Sequence, residues 1–81
     1  MTTRRYWNID DGLQLLVESN QIGKTAYHML NSKGKWQDGI EDAIDYVFKG
    51  ERGAVEIQEP EARRLAAALG SSLDDVPPMP D

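Results

Sequence analysis

Few residues in this chain have the types and spacing for chemistry, and each has a plainer alternative. Gly23-Lys24-Thr25 matches the end of a phosphate-binding P-loop, where backbone N–H groups cradle phosphates and a lysine reaches them. The full pattern needs a glycine five residues before Gly23, and that position is Glu18. The triplet therefore reads as a helix start rather than a nucleotide site. His28 is the only histidine and there is no cysteine, so a metal site lacks its usual ligands. Glu41, Asp42 and Asp45, with Asp38 just before them, form an acidic group. Asp42 and Asp45 are three apart and are neighbours on a helix. Hard-cation binding and acid–base work compete there with a solvated face or a contact surface for a basic partner. Trp36 lies between Lys35 and Gln37 in a polar stretch. It is either core or an exposed anchor, a role in which interfaces favour tryptophan. Nothing assembles a nucleophile, a base and an oxyanion site at recognisable spacing. The expectation is a protein that is not an enzyme and uses no cofactor or metal.

Length and composition limit what can position these groups. Eighty-one residues allow one domain with a small core. The absence of cysteine removes disulfides and thiolate metal sites and fits a reducing cytoplasm. No apolar run is long enough to span a membrane, and the start, MTTRRYWNIDDG, lacks the apolar stretch of a secretory signal. Net charge is −5 and the sequence pI is about 4.7. Residues 1–53 hold seven Lys/Arg against eight Asp/Glu, and residues 54–81 hold two against six. The first part is near neutral and can present a local positive face. The acidic second part cannot plausibly meet a phosphate backbone.

Residues 4–9, RRYWNI, read as a short strand or an extended arm. Asp10 and Asp11 are good helix caps, and Leu13, Leu16 and Val17 follow at helical spacing, which predicts a first helix over 11–20. A second helix is expected over 24–32, with Ala26, Met29 and Leu30 on one side. The third has the cleanest pattern: Ile40, Ala43, Ile44, Val47 and Phe48 form an apolar stripe expected to face the core. Its carboxylates lie off that stripe. Residues 54–58, AVEIQ, alternate apolar and polar, which fits a short strand beside 4–9 and equally well a loop with Val55 and Ile57 tucked inward. A fourth helix begins with Glu59 as cap and Pro60 at the first helical position. It stops at Gly70. Ser72 and Asp75 have capping-box spacing for one last turn. The domain is expected to span 1–76, with 77–81, PPMPD, as a disordered tail.

The segment RLAAALGSSLDDV at 64–76, with AIDYVFKGERG at 43–53 and QIGKTAYHML at 21–30, resembles the lambda-repressor-like (Xre-type) helix-turn-helix family. The resemblance covers roughly residues 9–76. It implies a mainly α fold, a compact bundle of four to five helices, with 4–9 and 54–58 as an optional two-stranded element. It also implies a small cytoplasmic DNA-binding transcriptional regulator. Such a protein would be a repressor, an antitoxin-like regulator or a phage control protein, acting as a homodimer on double-stranded DNA. In that family the second helix grips a phosphate and the third reads the major groove. The resemblance then assigns phosphate contacts to Lys24, Thr25, Lys33, Lys35, Lys49 and Arg52, with Gln37 facing the groove.

The residues themselves support an alternative of another class. Side chains that read bases are mostly Arg, Lys, Asn and Gln, whereas the third helix offers Asp38, Glu41, Asp42 and Asp45. Those carboxylates suit a non-DNA-binding protein-interaction module that docks on a basic partner. An example is a phage or mobile-element inhibitor of a nucleic-acid-processing complex, with Trp36 as anchor.

Overall fold

A computed structural model describes residues 1–50 and 53–79. The chain is built on a five-stranded antiparallel sheet, not on the expected bundle of four to five helices. Strands β1 (Thr3–Ile9), β2 (Gln14–Gln21) and β3 (Lys24–Leu30) form a continuous meander. The short β4 (Trp36–Asp38) pairs with β3, and β5 (Val55–Ile57) pairs with the outer side of β1, giving the order β4-β3-β2-β1-β5. The pairing of segments 4–9 and 54–58 is thus present, as one margin of the main sheet.

The predicted helices over 11–20 and 24–32 are strands β2 and β3. The reason is visible in Leu15-Leu16-Val17, where successive residues point to opposite faces and all are fully buried. A central strand covered on both sides carries a continuous apolar run instead of alternation. Such a run is not distinguishable from helix by periodicity alone. Asp10 and Asp11 cap no helix. They occupy the left-handed backbone region, with φ of 53° and 54°, in the β1–β2 hairpin loop. That loop is closed by Gly12 N–H donating to Asn8 Oδ1 at 2.6 Å. Gln21 and Lys24 face each other across the two-residue turn Ile22-Gly23, where Gly23 supplies a φ of +75°.

Each face of the sheet is covered by one helix. Helix α1 begins with α geometry over Ile40–Asp42 and continues as a wider π-helix over Ala43–Phe48. Lys49 N–H accordingly reaches back to the Ile44 carbonyl, at 3.0 Å. Helix α2 spans Glu59–Ala68, its cap being Gln58 instead of Glu59. It ends at Gly70 in the left-handed conformation, as expected. A 3-10 turn, Leu73–Asp75, follows, and Ser72 Oγ accepts from Asp74 N–H at 3.1 Å.

On one face α2 places Ala62 and Ala66 against Tyr6, Leu15, Val17 and Leu30, with Leu73 and Val76 completing the cluster. On the other face α1 places Ala43 and Tyr46 against Trp7, Ile9, Leu16, Tyr27 and Met29. The third-helix expectation holds for the helix and only in part for its inward side, where Val47 also packs against this cluster. Ala43 and Tyr46 are buried, while Ile40, Ile44 and Phe48 are exposed. No helix among the described residues is long and apolar enough to cross a membrane.

Candidate functional site

The residues assigned to DNA do not converge. Lys24 and Thr25 lie at the β2–β3 turn, where Thr25 Oγ1 donates to Asn20 Oδ1 at 2.8 Å. They belong to a strand, so no helix N-terminus backs them with its dipole. Lys33 and Lys35 lie beyond the opposite end of β3, in a loop organised by Asn31 Oδ1, which accepts both of their backbone N–H groups. A seven-residue strand separates the two pairs by about 20 Å. Gln37 sits on β4 and accepts from Asn31 Nδ2 at 3.1 Å. Lys49 follows α1 and pairs with Asp45 at 3.6 Å. Arg52, and the end of the tail at 80–81, lie outside the described residues.

The acidic set is more coherent. Asp38 ends β4 and its Oδ1 accepts from Ile40 N–H at 3.4 Å, at the entry to α1. Glu41, Asp42 and Asp45 lie along α1 itself. Glu41 is exposed and has no ion-pair partner among the described residues. Trp36 does not join them as an exposed anchor. It is half-buried against the α2 cluster, and its indole N–H donates to Ser71 Oγ at 3.0 Å.

Sequence reasoning missed the apolar row that runs among these acids. Ile40, Ile44 and Phe48 are 44%, 42% and 65% exposed. Periodicity shows which side chains share a side of a helix but not which way that side turns. The sheet receives α1 through Ala43 and Tyr46, and Ile40, Ile44 and Phe48 are left flanking outward. Gly39 sets this close approach, because a Cβ there would lie 3.0 Å from Leu16 Cδ1 and 3.1 Å from the Met29 backbone nitrogen. Phe48 is steadied from below by the edge of Tyr27, with ring centroids 6.2 Å apart and planes at 85°.

Beneath Phe48, the Tyr27 hydroxyl donates to Glu18 Oε2 at 2.7 Å, and Asn20 Nδ2 donates to Oε1 of the same carboxylate at 2.7 Å. Burial, then the Glu18 carboxylate, push the Tyr27 phenol up to about 12. Arg5 lies over the Trp7 ring, 5.0 Å from its centroid, and bonds both oxygens of Glu56 at 3.0 and 2.8 Å. On the other face, burial lowers the pKa of His28, and Arg4 adds to that shift while Asp38 opposes it. No group of three or more His, Cys, Asp or Glu side chains among the described residues is arranged to hold a metal ion. No protein-family model matches this chain, nor does any curated protein or solved structure.

Proposed function

We propose that this protein is a cytoplasmic protein-interaction module that docks a basic, amphipathic partner on the outer side of α1. The observation that carries this reading is the exposed row Ile40, Ile44 and Phe48 with Glu41, Asp42 and Asp45 interleaved on the same short helix. Exposed apolar groups gain by leaving water, and hot spots at interfaces are large side chains seated at the centre of such patches. The surrounding carboxylates select a cationic partner and speed its approach. The chain's net charge of −5 acts in the same sense. The separation of Lys24 from Lys33 and Lys35 gives no comparable support to a phosphate-binding stripe.

A fluorescent, Leu/Lys amphipathic helical peptide is the direct probe. It is expected to bind the intact protein. Phe48→Ser should weaken binding by about tenfold, consistent with burying most of one aromatic side chain at about 1.5–3 kcal/mol in full. The double variant Glu41→Lys, Asp45→Lys should also weaken it. Duplex DNA, titrated at two salt concentrations, is the opposing arm. Salt-sensitive DNA binding without peptide binding would replace this reading, as would peptide affinity indifferent to Phe48.

A further inference from the structure

The outer side of β1 is only partly covered. β2 pairs with β1 over its whole length from Thr3 to Ile9, but β5 meets it only at Tyr6, Trp7 and Asn8. The backbone of Thr3–Arg5 therefore has no strand on its outer side. After β5 the chain leaves the sheet at Gln58 and starts α2 at Glu59. The space left open is a groove of about 370 Å³ lined by Thr2, Arg4, Tyr6, Ile57, Gln58 and Glu59, with Arg5 and Glu56 at its wall. That volume falls within the range of ligand clefts, about 300–1,000 Å³.

The charges in this groove are unevenly satisfied. Both oxygens of Glu56 are held by Arg5. Glu59 is paired with Arg63 at 3.6 Å and accepts from the Tyr6 hydroxyl at 3.5 Å. Arg4 has no ion-pair partner among the described residues. In an acidic protein, the one uncompensated charge lining the groove is thus a guanidinium, which favours a carboxylate with bidentate geometry. An unpaired strand margin offers main-chain hydrogen bonds to an added strand, while the side-chain pockets beside it set specificity.

We propose that Thr3–Arg5 and this groove accept an extended peptide strand from another protein, with an internal Asp or Glu side chain placed against Arg4. A second copy of this chain is the less suitable occupant. Antiparallel self-pairing centred on this stretch would set Arg4 against its own copy, and like charges directly opposite are destabilising. This inference is independent of the α1 reading, because it uses the opposite charge and a different part of the sheet.

The probe is a capped heptapeptide, Thr-Val-Thr-Glu-Thr-Val-Thr, with Lys replacing its central Glu as control. Amide shifts and hydrogen exchange of the full chain are followed by NMR. The Glu peptide should move the Thr3–Arg5 amide signals and slow the exchange of those turned away from β2, and the Lys peptide should bind at least tenfold more weakly. Arg4→Gln should abolish the preference, and Arg4→Lys should retain part of it. Both variants should unfold at the parent urea midpoint, since Arg4 is exposed. Absence of shifts at Thr3–Arg5 with millimolar peptide, or equal binding of the Glu and Lys peptides, would overturn the proposal.

Discussion

Tyr27→Phe isolates one buried hydrogen bond next to the α1 surface. The phenylalanine ring keeps the edge contact with Phe48 and the packing against Leu16, Met29 and Tyr46. What is lost is the 2.7 Å bond from the hydroxyl to Glu18 Oε2. Hydrogen bonds to charged groups contribute about 1.5–3 kcal/mol. Glu18 is only 9% exposed, so water cannot freely replace the hydroxyl. It keeps Asn20 as a donor, which argues for the lower half of that range, about 2 kcal/mol. For a domain of this size that is a fall in Tm of roughly 8–16 °C. Urea unfolding followed by tryptophan fluorescence measures it, since Trp7 is buried and Trp36 half-buried. The same bond predicts an alkaline signature. The phenol has an ordinary value of 10.0 and is raised to about 12 in the folded chain. The folded state therefore holds this proton more tightly, and the associated stability is full below pH 10 and lost as pH rises towards 12. That part of the alkaline loss should be absent from Tyr27→Phe. A destabilisation below about 0.5 kcal/mol, with an unchanged alkaline slope, would mean that Glu18 is hydrated and that the argument from burial is wrong.

Two further outcomes follow from the seat of the helices. Because the pKa of His28 is lowered by burial, the unfolded chain takes up its proton first, and stability falls as pH drops below the ordinary value of 6.5. Calorimetry of His28→Gln should show a smaller loss of Tm between neutral and mildly acidic pH than the parent, and equal losses would contradict a half-buried imidazole held neutral by its surroundings. Gly39→Ala puts a methyl group 3.1 Å from the His28 carbonyl carbon and the Met29 nitrogen, both backbone atoms that cannot swing aside. Urea unfolding should show a cost of about 1–3 kcal/mol from overpacking. Full stability in that variant would mean that α1 is not seated on β3 as described.

The parts of the fold legible in the sequence are those with explicit punctuation. Pro60, Gly70 and Ser72 mark the start and stop of α2 and the turn after it, each within a residue or so. β5 shows in the sequence as simple alternation, although only Ile57 is half-buried and Val55 is exposed, as is Glu56. β2 and β3 were illegible because a helix covers each face of the sheet, which erases alternation in Leu15-Leu16-Val17 and in Tyr27–Leu30. The aspartates before β2 misled further, since Asp serves helix caps and left-handed turns alike. For the candidate site, Glu41, Asp42 and Asp45 were legible as charges off the apolar stripe, of which Glu41 is exposed and Asp42 and Asp45 are half-buried. Ile40, Ile44 and Phe48 were not legible as surface, since the seating of Ala43 and Tyr46 on the sheet decides how the helix rolls. The groove beside Arg4 depends on β5 being three residues long, which pairing decides and local residue type does not.

The two apolar clusters share no side chain, so the sheet is a partition between two half-interiors. Replacements on the α1 half need not disturb the α2 half, which holds Tyr6, Leu15, Val17 and Leu30 in place. A lineage carrying this architecture is free to vary the outer helix while the opposite half keeps the chain folded.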